Sequence, residues 1–329
     1  MFGVLINHVL QTLYNLNSPD FSLPNEFRIL LMNSAIIAVN CFVLISGFFR
    51  IKIKSKGFLN LYSQCLFYNV LLFGLAYFIT GEGLQYGIKS IIFPFTESRM
   101  WFFKAYIALY LISPLLNAGY DNLSRNKRFY VLIAFLIIDV YLGYMHQAQE
   151  VTPDGYHVIH FITLYFIGCI IADYKQYLPK KRVYIAWFLI LVSMNILHHA
   201  KLEFFPIAIL YSLKYNSPMV MLSSVVFFIW FSNLRIQSKI INYISISVLS
   251  VYIIHLHPFV WDVLFDFLKY IQRNMNLMNA AIFISLSLIV FYMCCIFVDK
   301  IRISICLPLV RIGSHHIDSF VQKIKVRIG

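Results

Sequence analysis

The stretch Val39-Asn-Cys-Phe-Val-Leu-Ile-Ser-Gly-Phe-Phe-Arg-Ile-Lys-Ile-Lys54 sets the pattern for the whole chain. It ends an apolar run that begins near Ile29, and at Arg50 it passes into a basic segment. Crossing the hydrocarbon of a bilayer takes about 20 apolar residues, and Lys and Arg gather on the cytoplasmic side. The stretch therefore predicts a membrane-spanning helix that ends in the cytoplasm.

The composition of the chain agrees with this interpretation. Of its 329 residues, 60% are hydrophobic and 12% are charged, whereas a soluble protein devotes about a quarter of its residues to charge. We predict an all-α polytopic membrane protein with about ten transmembrane helices, forming a single domain over residues 1–329. The predicted spans are residues 1–14, 29–49, 61–80, 101–116, 129–145, 156–172, 183–198, 218–231, 243–261 and 280–298.

The distribution of basic residues predicts the orientation of these spans. With a cytoplasmic N-terminus, 19 of the 27 Lys and Arg residues fall in the cytoplasmic loops and tail, so we expect both termini in the cytoplasm. Nucleic acid is not an expected partner, because the cations are spread over five separate segments. Residues 311–329 combine apolar side chains at helical spacing with several cations, which predicts an amphipathic cytoplasmic tail resting on anionic lipid.

Two outer connections, residues 81–100 and 198–217, are more apolar than ordinary loops. Such segments either cover an outward-facing cavity as lids or lie in the membrane interface as padding. The sequence leaves both interpretations open.

The first apolar run, residues 1–14, carries His8 where a bilayer would favour hydrocarbon. A titratable group inside a membrane is costly, so His8 is a candidate functional residue; the alternative is a hydrogen bond to the backbone of a neighbouring helix. Fourteen helical residues reach only about 21 Å, against about 30 Å of hydrocarbon. We expect either that this helix is incomplete or that further residues precede Met1.

The end of the second span is a candidate site for an anionic ligand. Ser46 and Gly47 let another backbone come close, and Arg50 and Lys54 follow on the cytoplasmic side. The alternative is ordinary helix packing combined with the preference of cations for that side.

Aromatic residues begin the fourth span. Trp101 and Tyr106 lie near the outer interface, where they either belong to an aromatic belt or stack on a sugar ring.

Other polar residues within the spans have less specific interpretations. Asp139 either makes a structural bond to a neighbouring helix or takes part in a proton relay. His157 and His160 lie one turn apart, but no third ligand has suitable spacing, so we expect no metal site.

Four stretches, in order and spacing, resemble the acyltransferase-3 family of integral membrane O-acyltransferases. They are Val39-Asn-Cys-Phe-Val-Leu-Ile-Ser-Gly-Phe-Phe-Arg50, Trp101-Phe-Phe-Lys-Ala-Tyr-Ile-Ala-Leu-Tyr-Leu-Ile-Ser-Pro-Leu-Leu116, Phe161-Ile-Thr-Leu-Tyr-Phe-Ile-Gly-Cys-Ile-Ile-Ala172 and Ser250-Val-Tyr-Ile-Ile-His-Leu-His-Pro258. The resemblance implies ten helices in a bacterial inner membrane. It also implies transfer of an acyl group, usually acetyl from acetyl-CoA, to a hydroxyl of a capsule, O-antigen, exopolysaccharide or lipid-linked sugar.

The resemblance also implies roles for single residues. His8 matches the histidine of the family's first helix and is the expected catalytic base, which would take the proton of the attacking hydroxyl. The family's arginine eleven residues earlier would fall upstream of Met1. The other expected roles are coenzyme A binding for Ser46, Arg50 and Lys54, and acceptor binding for Asn40, Trp101, Tyr106 and His255. The developing oxyanion also needs donors, which could be Asn40, Ser46 or the arginine expected upstream of Met1.

Two other functions remain open at this point. One is a transporter or flippase for an envelope lipid or sugar, which would not require His8, the Ser-Gly-Phe element or Trp101. The other is a catalytically silent relative, which the position of the expected arginine keeps open.

Overall fold

The computed structural model describes residues 1–13, 23–81, 88–89, 91, 93, 100–148, 154–179, 182–203 and 209–328. The structure is 86% helical, and the described residues contain no strand. A π-helix, Ile137–Met145, continues the helix Arg125–Leu136, and a 3-10 turn, Lys175–Tyr177, follows the helix Val158–Tyr174. The α-helices that the structure describes are α1 (Phe2–Leu13), α2 (Leu23–Phe49), α3 (Ser55–Thr80), α4 (Trp101–Asn122), α5 (Arg125–Leu136), α6 (Val158–Tyr174), α7 (Val183–Glu203), α8 (Pro218–Ser232), α9 (Lys239–Ser245), α10 (Val248–Leu256), α11 (Pro258–Asn274) and α12 (Leu277–Ile328).

The apolar helices confirm the predicted class of protein. Among the described residues, seven helical stretches are long and apolar enough to cross a membrane. Three shorter apolar helices accompany them, at Phe2–Leu13, Val183–His199 and Pro218–Ser232. The chain is therefore an all-α polytopic membrane protein, while the cytoplasmic location of its termini stays a prediction.

The predicted ninth span, residues 243–261, is wrong as a single helix. Helix α10 ends at Leu256, and α11 begins at Pro258 after His257 in an extended conformation (φ −62°, ψ 130°). Proline disfavours a helical conformation in the preceding residue but fits the first position of a new helix. The stretch able to span is therefore Lys239–Leu256.

The tenth predicted span and the predicted tail form one continuous helix, α12. Its 52 residues extend over about 78 Å. Near its carboxyl end the side chains of Ile317, Phe320 and Val321 are exposed. The contact of this segment with cytoplasmic lipid stays a prediction.

The two predicted lids are described only in part. Residues 82–87, 90, 92 and 94–99 of the first lid and residues 204–208 of the second lie outside the described residues. The described remainder of the second lid includes an irregular segment, residues 209–217, directly before α8.

The chain divides into two compact units. Unit 1 comprises Met1–Leu5, Ile53–Lys104 and Ser238–Gly329, and unit 2 comprises Ile6–Lys52 and Ala105–Gln237. The single domain over residues 1–329 stays a prediction.

A buried polar cluster joins α3 and α12 within unit 1. Asp299 Oδ1 accepts hydrogen bonds from Arg302 Nε at 2.6 Å, Tyr68 Oη at 2.9 Å and Gln64 Nε2 at 3.3 Å. Arg302 is only 2% exposed, although the sequence counts it among the cytoplasmic cations. A buried charge needs such a partner, so the cluster fixes the alignment of the two helices.

Unit 2 is built on a close contact between α2 and α6. A Cβ atom on Gly168 would lie 3.0 Å from Gly47 Cα, and one on Gly47 would lie 2.8 Å from the carbonyl carbon of Tyr165. Two helix backbones come this close only where both helices carry small residues. The packing interpretation of the Ser46-Gly47 pair is thereby confirmed for Gly47.

The contacts between α2 and α6 also show that the two helices run parallel. Asn40 meets His160, Gly47 meets Gly168, and Arg50 meets Asp173, so both residue numbers increase along the contact. Parallel helices require an odd number of spans between them. The three spans predicted between residues 49 and 156 satisfy this condition.

We expect the substitution Gly47→Ala to destabilise the protein by about 1–3 kcal/mol or more, because overpacking forces the two backbones apart. The matched control is Gly119→Ala on α4, where an added Cβ would meet nothing within 4 Å. The control should be neutral or gain up to about 1 kcal/mol from helix propensity. Melting temperatures of both purified variants in detergent test this, and equal values would contradict the close contact.

Candidate active site

The residues expected to form the site are divided between the two units. Unit 2 holds His8, Asn40, Ser46, Arg50 and Tyr106. Unit 1 holds the others, which are Lys54, Trp101 and His255.

His8 lies on α1, an apolar helix, and is half-buried. Val4, Leu5, Asn7 and Val9 of the same helix are buried, whereas part of the imidazole of His8 stays exposed. A catalytic histidine must be open to its substrate, and the partial exposure of His8 is compatible with that requirement.

Ser46 and Tyr106, which were expected to serve different ligands, meet in the structure. Ser46 Oγ lies 3.2 Å from Tyr106 Oη and 2.9 Å from the carbonyl oxygen of Phe42, to which it donates. Since the serine hydrogen is used in that bond, the tyrosine hydroxyl is the donor to Ser46. Both side chains are half-buried, so together they form an accessible pair of hydroxyl groups.

Arg50 is embedded in a charged cluster instead of projecting freely into solvent. It forms an ion pair with Asp121, lies 3.7 Å from Asp173 Oδ1, and stands 4.8 Å above the ring of Tyr120. Arg128 donates to Asp173 Oδ2 at 2.8 Å and completes the cluster. Two cations therefore face two carboxylates, and a phosphate at Arg50 would have to compete with both acids.

The conformation and ionisation of Arg50 follow from these contacts. Its φ of 55° places it in the left-handed region at the end of α2, where glycine is the usual residue. Partial burial lowers the pKa of Arg50, but the hydrogen bond and charge of Asp121 and the charge of Asp173 outweigh it, so that the pKa is raised above its ordinary value. Arg50 therefore stays charged.

A fully buried polar network links α2, the π-helix and α6. His160 Nδ1 lies 2.7 Å from Asp139 Oδ2, and His160 Nε2 lies 3.1 Å from Asn40 Oδ1. All three side chains are 0% exposed. This confirms the bond between helices expected for Asp139, and it shows that the amide oxygen of Asn40 is already engaged.

The same network fixes the irregular segment of residues 209–217. Asn40 Nδ2 donates to the carbonyl oxygen of Tyr215 at 2.9 Å, and Asn216 Nδ2 donates to the carbonyl oxygen of Asp139 at 3.1 Å. Within this segment Lys214 forms an ion pair with Asp154 at 2.6 Å. A buried backbone carbonyl outside helical structure needs a hydrogen-bond partner, and Asn40 supplies one to Tyr215.

The expected site residues of unit 1 have different environments. His255 is 1% exposed, and its Nδ1 lies 2.6 Å from the carbonyl oxygen of Val251 on its own helix. Trp101 begins α4 and is half-buried, whereas Lys54 is exposed at the start of α3.

The part of the chain that the structure describes contains no group of three His, Cys, Asp or Glu side chains able to hold a metal ion. Both ring nitrogens of His160 are engaged with Asp139 and Asn40, whereas His157 is exposed. His160 therefore has a structural role in this network.

Sequence reasoning missed the partner that connects Asp139 to α2. The sequence shows Asn40, Asp139 and His160 as isolated polar residues in three apolar spans. Polar residues at intramembrane depth usually pair with one another, and that rule could have grouped these three.

These observations define a membrane-embedded helical protein with an accessible hydroxyl pair, a half-buried histidine and a charged cluster at one end of unit 2. The model of the acyltransferase-3 family, described as an acyltransferase domain, matches residues 1–299. The chain therefore belongs to this family. Comparison with curated proteins and with solved structures gave no match.

We expect Asp139→Asn and His160→Gln each to destabilise the protein by about 1–3 kcal/mol, because each leaves a buried partner imperfectly satisfied. The loss in the double variant should be smaller than the sum of the two by about 1 kcal/mol, since contacting residues are coupled. Melting temperatures of the purified variants test the coupling. Asp266→Asn, whose side chain is 77% exposed, is the control and should change little; additive losses would contradict a shared network.

Proposed function

We propose that this protein is an O-acyltransferase of the bacterial cytoplasmic membrane. It transfers acetyl from acetyl-CoA to a hydroxyl group of a cell-envelope glycan or lipid-linked sugar. The observation that carries the proposal is the family match over residues 1–299, which includes His8 and every other residue that the resemblance assigns to the site.

His8 is the proposed general base. A sugar hydroxyl is a weak nucleophile, and a neutral imidazole can accept its proton as the oxygen attacks the thioester carbon. The carbon–oxygen bond forms, the carbon–sulfur bond breaks, and the imidazolium returns its proton to the departing thiolate. The accessible position of His8 on α1 supports this role.

The hydroxyl group of Tyr106 is the proposed donor to the oxyanion that develops on the thioester, its hydrogen turning from Ser46 Oγ, which keeps its own bond to the carbonyl oxygen of Phe42. A donor contributes most when it is fixed in place before the reaction, and the 3.2 Å contact with Ser46 supports this arrangement. Asn40 is a weaker candidate, because its amide is engaged with His160 and Tyr215.

Arg50 and Lys54 are the proposed cations at the coenzyme A end of the site. Trp101 and His255 are proposed on the acceptor side. The half-buried ring of Trp101 offers a surface on which a sugar could stack, whereas the burial of His255 favours a role in holding neighbouring groups in position.

We expect His8→Ala to reduce transfer of labelled acetyl from acetyl-CoA by about 10²–10⁴-fold, the usual contribution of a general base. The measurement uses inverted membrane vesicles with an endogenous acceptor and follows label in the glycan fraction. The matched control, His316→Ala, removes an exposed histidine from α12 and should retain activity.

Two outcomes of this assay would contradict the proposal. Full transfer by His8→Ala would exclude His8 as the base. Movement of the acceptor across the membrane without any need for acetyl-CoA would identify a transporter or flippase instead.

A further inference from the structure

A polar cavity of about 820 Å³ lies within unit 2, where α6 and α8 end. Most of its lining is polar or charged, with Asp173, Lys175, Gln176, Asn233 and Arg235. Its volume is within the range of small-molecule sites, about 300–1,000 Å³. The orientation predicted from the loop charges puts all of these residues on the cytoplasmic side.

Asp173, the single carboxylate among the residues that line this cavity, is already paired with other side chains of the protein. Asp173 accepts hydrogen bonds from Tyr120 Oη at 2.6 Å and Arg128 Nη1 at 2.8 Å, and Arg50 Nη2 lies 3.7 Å away. Its negative charge is therefore largely balanced before any ligand enters.

The two cations of the lining are placed differently. Lys175 and Arg235 are exposed, and no carboxylate of the described residues forms an ion pair with either of them. Lys175 Nζ lies 5.2 Å from the centre of the Phe48 ring on α2, two residues before Arg50. The cavity thus presents an ammonium and a guanidinium group next to an acid that is already paired.

We propose that Lys175 and Arg235 bind the phosphate groups of the acyl donor in this cavity. Arg50 then acts as a positioning residue that neutralises Asp173, not as a direct phosphate ligand. This inference rests on the proposed use of a coenzyme A thioester, whose adenosine end carries a diphosphate and a 3′-phosphate. Arg binds such groups through paired hydrogen bonds and Lys acts as a point charge.

The first test measures binding to the full-length protein in nanodiscs of zwitterionic lipid. The probes are labelled acetyl-CoA and, as competitor, adenosine 3′,5′-bisphosphate, which carries phosphates but no thioester. We expect Lys175→Gln/Arg235→Gln to weaken binding of both by about 10-fold or more, equivalent to about 1.4 kcal/mol. The control, Lys127→Gln, removes an exposed cation outside the cavity and should bind like the wild type.

The second test separates a positioning role of Arg50 from direct binding. Arg50→Gln should weaken binding, because Asp173 then repels the phosphates. Adding Asp173→Asn should recover most of the lost affinity. If Arg50 itself bound phosphate, the double variant would remain as weak as Arg50→Gln.

The outcomes separate this inference from the proposed function. If the wild type fails to bind acetyl-CoA, both are overturned. If it binds and Lys175→Gln/Arg235→Gln binds equally well, only this inference fails, and the two cations serve only the helix ends and the membrane orientation. If the wild type and Lys175→Gln/Arg235→Gln differ in acetyl-CoA binding only in nanodiscs that contain phosphatidylglycerol, the cavity is assigned to a lipid headgroup. That result would also overturn this inference.

Discussion

The contact between α2 and α6 at Gly47 and Gly168 is the constraint on which unit 2 depends. Because no side chain separates the backbones there, the residues on either side of the contact are brought into fixed pairs. Asn40 meets His160 in one direction, and Arg50 approaches Asp173 in the other. One close approach thus positions both a buried hydrogen-bond network and a charged cluster. Tightly packed interiors transmit small displacements. The geometry of the network and that of the charged cluster therefore both depend on glycine at positions 47 and 168.

The two ends of this contact have different physical characters. The Asn40–His160–Asp139 network is fully buried, and its groups bond to one another and to the segment before α8. It therefore holds helices together and has no accessible atom to offer a substrate. The Arg50 cluster is partly exposed and opens towards a polar cavity. Along the same pair of helices, the buried network thus provides rigidity and the exposed cluster provides access for a ligand. A precise site usually needs such a rigid support beside it.

The sequence predicted the class of fold well, because about 20 apolar residues per span are a strong local signal. It failed where the outcome depends on contacts between distant segments. Nothing local shows that Asp139 meets His160, or that Arg302 is buried against Asp299. Pro258 by itself indicates the helix break that precedes it. Because the apolar run continues across this proline, the hydropathy pattern predicted the two helices as one span. Arg50 was identified, yet its two acidic partners lie on other helices.

The order of groups along α2 gives a physical reason for a donor that enters from the charged end. Phosphates are too costly to bring into hydrocarbon, so they must remain near Arg50 and the cavity beyond it. Ser46 lies one helical turn deeper, about 6 Å along the axis, and its hydroxyl pairs with that of Tyr106. An uncharged thioester arm can reach this depth while its phosphates stay in the charged zone. The Asn40 network lies about 9 Å deeper again and is fully buried, so along α2 the proposed donor reaches the Ser46–Tyr106 pair before it reaches that network.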